Sequence, residues 1–351
     1  MILMIKNDKI IKTLNSGNNM VFYDLTQKQL EEYFTLHGEN IAKAKILYKA
    51  VYRNKKNIQE ITELSQRTKE KILKDFSFSL PKIIAMQDDG DTAKALMELS
   101  DGSRVETVLM RHSFGAGLCV STQVGCAMNC AFCQSGRLKK RRNLTAGEMV
   151  SQVTVMAKDN DINHISVMGI GEPFDNFDNV KDFLEIISSP YGFAFGGRHI
   201  TVSTCGIVPI IKRLTEINCG FNLAVSLHAP NDEIRSRLMP VNRRWGIAEL
   251  MAAVREYSQN EKKRIAFEYI LLDGINDSLE QAEELAALID GFDCFVNLIP
   301  YNQTENPDFK PSTRSDEFFR ELKSRGVNAI FRRKFGGGIN AACGQLSSQY
   351  D

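Results

Sequence analysis

Residues 117–133 read Gly117-Leu-Cys119-Val-Ser-Thr-Gln-Val-Gly-Cys126-Ala-Met-Asn-Cys130-Ala-Phe-Cys133: a short strand-like run, then three cysteines in close succession. Thiolates at this spacing can converge on one metal centre from a single tight loop. Structural zinc takes four ligands, commonly from two Cys-x2–4-Cys knuckles. Here only three cysteines cluster, and no histidine stands nearby. Three thiolates on a [4Fe–4S] cluster leave one iron open to a substrate or cofactor. Zinc, or three buried thiols without a metal, is the alternative the spacing leaves.

Working outward, strand-like runs alternate with helix-like stretches on the C-terminal side. The strand candidates are residues 117–122, 162–168, 199–204, 221–227, 264–272, 294–299 and 327–332. Thr145-x-x-Glu148 and Asp277-x-x-Glu280 resemble capping boxes opening two of the intervening helices. Such alternation predicts parallel strands joined by crossover helices, in an open sheet or an incomplete barrel of about six β/α units. Ligands in either architecture sit at the carboxyl ends of the strands. On the N-terminal side, residues 93–99 and 105–110 alternate about Asp101-Gly102, a hairpin signal. Before Pro81 the chain reads helical and charged, with helices expected near residues 26–30, 40–48 and 65–76.

Composition bounds the class. The chain has 351 residues, 43% of them apolar and 25% charged, the balance of a globular protein. No apolar run reaches the roughly 18–20 residues needed to span a bilayer, and the start is too short for a signal-peptide core, so a soluble cytoplasmic protein is expected. With 44 basic and 43 acidic residues, net charge is +1, and any nucleic-acid contact must come from local clusters. The eight cysteines, in a chain without a secretory signal, are expected as metal-binding, redox or buried thiols rather than structural disulfides.

Cys126-x3-Cys130-Ala-Phe132-Cys133 is similar to the signature of the radical S-adenosylmethionine (SAM) superfamily, in which the open iron chelates the methionine end of the cofactor and reduction yields a 5′-deoxyadenosyl radical. The resemblance implies an α/β fold, a partial (β/α)6 barrel. Gly169-Ile-Gly171-Glu172-Pro173 resembles that family's glycine-glutamate motif, which holds the methionine ammonium. Ser203, Ser226, Leu227, His228 and Asn302, at or near strand ends, are the further cofactor-binding candidates; each of the polar ones could instead merely cap a strand.

Further residues narrow the family. Cys119, Arg104-Val-Glu106, Ser226-Leu-His228-Ala-Pro-Asn-Asp, Ile299-Pro-Tyr-Asn302 and Asn340-Ala-Ala-Cys343 closely resemble the RNA adenosine methyltransferases RlmN and Cfr, over about residues 22–346. The resemblance implies two SAM molecules per turnover: one methylates Cys343, and the other generates the radical that removes hydrogen from that methyl. The carbon radical adds to adenine, Glu106 accepts a proton, and Cys119 closes a disulfide with Cys343 to release the product. Cys119 alone would read as a small core residue and Glu106 as an exposed strand residue; Cys205, Cys219 and Cys294 are assigned to packing. The family usually carries aspartates before Ala-Ala-Cys; here Gly336-Gly-Gly338-Ile-Asn340 stands instead, which suits a mobile loop.

The reading nearest the motifs is methylation of carbon 2 of adenosine 2503 in 23S rRNA, with adenosine 37 of certain tRNAs left open. A carbon-8 enzyme of the Cfr type conferring antibiotic resistance is the alternative, and a non-catalytic iron–sulfur RNA-binding protein the alternative of another class. A flavodoxin or ferredoxin is the implied electron donor. RNA contact is expected from Arg137, Lys139, Lys140, Arg141 and Arg142, from Arg243 and Arg244, and from residues 332–334. Residues 1–90, with Arg53, Lys55 and Lys56, resemble an accessory RNA-binding domain, and residues 91–346 form the barrel with its β extension and catalytic loop.

Overall fold

The computed structural model describes residues 20–346 apart from 114, 218, 219, 305, 307, 333–338, 340, 342 and 343. It opens with three helices, α1 (Gln27–Leu36), α2 (Ala42–Tyr48) and α3 (Gln66–Asp75). Thr26 starts α1 with a reciprocal capping box to Gln29, and the Ser65 hydroxyl caps α3. Around Phe22 the rings of Tyr23, Tyr48, Tyr52, Phe76 and Phe78 pack together. This aromatic cluster runs without a break into the core of the sheet and its helices.

One ten-stranded sheet follows, its strand order that of the chain. β1 (Lys82–Asp88), β2 (Thr92–Glu98) and β3 (Arg104–His112) are antiparallel, joined through β3 to β4 (Gly115–Cys119). The β2–β3 connection is the expected turn, with Gly102 at φ 78°. β1 was not anticipated and lies before the expected boundary at residue 90. It exposes Ile83, Ile84 and Met86 at the sheet edge, so its sequence lacks the alternation of a half-buried strand.

From β4 onward neighbouring strands are parallel: β5 (Ile162–Val167), β6 (Ile200–Thr204), β7 (Asn222–Ser226), β8 (Ile265–Leu271), β9 (Cys294–Pro300) and β10 (Ala329–Phe331). The six crossovers carry α4 (Ala146–Met156), α5 (Phe177–Ser188), α6 (Val208–Ile211), the pair α7 (Asp232–Leu238) and α8 (Ile247–Glu261), α9 (Leu279–Leu288) and α10 (Ser315–Ser324). The strands wrap as an incomplete barrel, with β10 and β1 at the two edges. Thr145 and Glu148 form the expected box on α4. On α9 the box begins one residue later than expected, at Ser278 with Gln281. The Asp277 carboxylate instead accepts from the Gly274 amide and the Ser312 hydroxyl, tying two loops together.

Alternation along the parallel strands separates two faces. Ile165, Val202, Leu223, Phe267 and Leu298 belong to the main core. The opposite face carries small and polar residues, including a row in register across three strands: Ser226, Glu268 and Asn297.

Gln152 on α4 pins the extension to the barrel. Its Oε1 accepts from Thr107 Oγ1 (2.7 Å) and the Ser121 amide (2.9 Å), and its Nε2 donates to Ser121 O (2.9 Å), all out of water. Gln152→Ala strands both backbone groups of Ser121, costing about 3 kcal/mol. The thermal midpoint is expected to fall by several degrees; a shift within error would show that these groups find other partners.

Candidate active site

A cavity open to solvent on one side lies at the carboxyl ends of β5 to β9. The loop after β4 brings Cys126, Cys130 and Cys133 to its wall; the loop after β5 brings Gly171 and Glu172. Ser203, Thr204 and Cys205 come from the end of β6, Ser226 and His228 from β7, Glu268 from β8 and Arg332 from beyond β10.

The cysteine loop is held by its own backbone. The Cys126 amide donates to Leu138 O (3.0 Å), the Cys133 amide to Cys130 O (3.1 Å) and the Gly136 amide to Cys133 O (3.1 Å). Two glycines permit this close winding: a Cβ on Gly125 would stand 2.3 Å from Lys139 O, and one on Gly136 2.7 Å from Cys130 O. Burial pushes the Cys126 thiol up to about 11 and Cys130 well above its ordinary value, and each neighbouring thiolate pushes the same way. Among the described residues, no group of three or more histidine, cysteine or carboxylate side chains stands ready to hold a single metal ion. Three thiols on one wall form a soft donor set, suited to an iron–sulfur cluster rather than to a hard cation.

Glu172 is buried, and its carboxylate accepts from the Phe174 amide (3.0 Å), Thr204 Oγ1 (2.8 Å) and the Cys205 amide (2.8 Å). Burial raises its pKa against the opposing pull of these hydrogen bonds. Among the described residues no lysine or arginine pairs with it, so an ammonium arriving in the cavity would meet a prepared anion. Gly171 lies at φ 106°, and a Cβ there would stand 2.6 Å from the Gln123 side chain. His228, also with positive φ, accepts the Ile270 amide at Nδ1 (3.0 Å), which leaves the proton of its neutral ring on Nε2. Burial lowers its pKa to about 3, and its ring meets Phe132 edge-on at 4.8 Å.

Beside the cavity, strand register sets Lys94, Val108 and Cys119 in one row, with Glu106 two residues from Val108 on the same face. Glu106 is fully buried and ion-paired to Lys94 at 3.1 Å, not an exposed strand residue. Cys119 packs with Val108, Ile170, Ala341 and Leu346. Cys343, Cys219 and residues 336–338 lie outside the described residues, but the residues that follow Cys343 are held at this site. Gly344 O accepts the Gln134 amide (2.7 Å) and Leu346 O accepts Ser135 Oγ (2.6 Å), immediately after Cys133.

Two candidates stand apart from the cavity wall. The Leu227 side chain is in the core, its amide bonded to Glu268 O and its carbonyl to Arg235. Asn302 is half-buried beyond β9. Three residues were missed. Glu268, a single carboxylate in an otherwise apolar strand, accepts both its bonds from Asn297 Nδ2 and lies 3.6 Å from Arg332. Thr204 and Cys205 hold Glu172, so Cys205 does more than pack; Cys294, half-buried at the start of β9, lies off the cavity wall.

The basic residues divide. Lys140 is paired with Asp175 (2.6 Å), and Arg142 with Asp101 (2.8 Å) and Glu148 (2.7 Å). Arg53 donates to Pro190 O, Lys55 to Ala157 O and Lys158 O, and Arg332 faces the cavity. Each of these five makes a contact within the protein or faces the cavity, with Arg53 and Lys55 still exposed beside theirs. Arg137, Lys139, Arg141, Arg243 and Arg244 are exposed, Arg244 lying over the Trp245 ring.

Known proteins match this arrangement. Residues 120–289 match the radical SAM superfamily. A protein of Spiroplasma citri, named a probable dual-specificity RNA methyltransferase RlmN, is 45% identical over 92% of this chain and 96% of its own length. Its namesake from Staphylococcus carnosus is 44% identical over 93% and 92%. The crystal structure of a radical SAM methyltransferase from Sphaerobacter thermophilus, 41% identical, superposes with a TM-score of 0.88 over 94% of this chain and 100% of that one. Gly136→Ala is expected to halve the iron retained after anaerobic reconstitution, or worse, with the circular dichroism spectrum unchanged. Full iron content would show that the loop accommodates the methyl group.

Proposed function

Because this chain belongs to the RlmN group of radical SAM RNA methyltransferases, we propose that it methylates carbon 2 of adenosine 2503 in 23S rRNA, with adenosine 37 in tRNA as a second target. The observation that carries the reading is the convergence of the three thiols, Glu172 and Gly344, the neighbour of Cys343, on one cavity. Carbon 2 of adenine is not nucleophilic, so polar methyl transfer is closed to it. A bound [4Fe–4S] cluster and SAM supply the methyl group and the hydrogen-abstracting radical.

The chain's residues do the rest. Cys126, Cys130 and Cys133 hold the cluster, and the Glu172 carboxylate takes the cofactor's ammonium. Ser203, Ser226 and His228 line the remaining wall, with Leu227 and Asn302 behind it. Cys343 carries the methyl group to the adenine, Glu106 receives the proton lost from the adduct, and Cys119 attacks the Cys343 sulfur to release the product. The burial of Glu106 and the packing of Cys119 against Ala341 and Leu346 support these roles. A low-potential flavodoxin or ferredoxin is the electron donor, and the cytoplasm, where ribosomes are made, is the place of action. No described helix is long and apolar enough to cross a membrane.

Digested rRNA from a treated knockout strain is expected to contain 2-methyladenosine when run against 2-methyl and 8-methyl standards; the 8-methyl isomer would overturn the position. Cys343→Ala is expected to bind SAM yet transfer no methyl group, and methylated RNA from it would end the carrier role. Glu172→Gln is expected to weaken SAM binding at least tenfold without loss of iron, as read by equilibrium binding. Replacing Arg137, Lys139 and Arg141 by alanine is expected to weaken RNA binding and to flatten its salt dependence by up to about 0.7 per lost contact. Affinity equal to that of the unaltered protein would reject the patch. Arg142→Ala, by contrast, is expected to lower thermal stability.

A further inference from the structure

Arg235 on α7 lies behind the cavity wall, wholly shut off from water. Its Nε donates to Leu227 O (3.1 Å), its Nη1 to Asn242 Oδ1 (2.8 Å), and its Nη2 to Cys205 O (2.7 Å) and Ser226 O (3.1 Å). All four acceptors are neutral. Among the described residues no carboxylate comes within ion-pair distance, and the two nearest by connection stand one group removed. Asp232 lies beyond Asn242, and Glu172 beyond Cys205.

A buried cation without a counter-ion is strongly disfavoured, and neutral dipoles offset only part of the loss. Burial lowers the pKa of Arg235, while charge on Cys205, Cys130 and Asp232 would pull the other way, so thiolate formation at Cys130 is favoured by this cation. The connection is mechanical as well, since the Ala131 amide, one residue past Cys130, donates to Leu238 O at the end of the same helix (2.9 Å). Three thiolates give a [4Fe–4S] centre a net negative charge, and reduction adds another. A fixed positive charge nearby in low dielectric favours the reduced form.

We propose that Arg235 is the buried counter-ion of the iron–sulfur centre, a positioning residue whose charge raises the centre's reduction potential. The proposal rests on the functional reading above, because the cluster is what makes the cavity anionic. It goes beyond that reading in assigning the electron-accepting step a determinant outside the cysteine motif.

The test is an anaerobic redox titration of full-length reconstituted protein, followed by electron paramagnetic resonance, with Arg235→Lys, Arg235→Met and Arg235→Gln beside the unaltered chain. At the potential where the unaltered centre is half reduced, Arg235→Met and Arg235→Gln are expected to be about one-tenth reduced. That tenfold change corresponds to about 59 mV for one electron. Arg235→Lys, which keeps the charge and loses most of the hydrogen bonds, is expected to stay near half. Charge-removing variants that titrate with the unaltered chain would overturn the proposal. If neither of them assembles a centre, assembly by Arg235→Lys sustains it, and failure of Arg235→Lys as well overturns it in favour of a hydrogen-bonding role. An unaltered chain that builds no four-iron centre would instead defeat the functional reading, a distinguishable result.

Discussion

The mouth of this barrel is organised around an anion that water does not solvate. Glu172 is buried at the cavity wall, and its two oxygens are met by two backbone amides and a hydroxyl from two different strand ends. Those hydrogen bonds orient the carboxylate but do not neutralise it, and burial still raises its pKa. The Cys205 residue that donates to it is in turn held through its carbonyl by Arg235. A buried anion and a buried cation are thus joined through one residue without touching. Direct contact would let the charges neutralise each other; separation leaves the Glu172 carboxylate on the cavity wall, with the Arg235 charge behind it.

The parallel strands make that separation possible. Their helix-packed face carries the apolar core, so their inner face is free to be small or polar, and consecutive inner positions of adjacent strands fall into rows. Ser226, Glu268 and Asn297 form one such row, and the antiparallel strands of the extension add another in Lys94, Val108 and Cys119. Because strand order follows chain order, each row is also an ordered walk through the sequence. The barrel does not close, and the segment after β10 returns to the cysteine loop, where its residues Gly344 and Leu346 are bonded to Gln134 and Ser135.

The seven parallel strands were legible because their apolar runs are bounded by turns and separated by helical periodicity. The cysteine spacing was legible because thiols so close together have few other uses. β1 was not, since an edge strand that exposes Ile83, Ile84 and Met86 shows no period of two. Nor was the burial of Glu106, which depends on β2 pairing alongside its strand and supplying Lys94. Arg235 reads on paper as one more basic helix residue, and only tertiary packing shows that its face of α7 looks inward. Glu268 did carry a signal, a lone carboxylate amid apolar neighbours in a strand, but its meaning depended on which face that position occupies.

Charge shows most clearly why counting residues misleads. The near-neutral total hides a sorting by geometry, in which Lys140 and Arg142 have carboxylate partners while Arg137, Lys139 and Arg141, interleaved with them, are exposed. Lys140 reaches Asp175 in the loop after β5 and Arg142 reaches Glu148 on α4, while Arg137, at the end of a short 3-10 turn, Lys139 and Arg141 meet solvent. Paired charges tie down the rim, and the exposed ones add positive charge to its surface. A protein of net charge +1 can therefore present a local face suited to a polyanion without being basic as a whole.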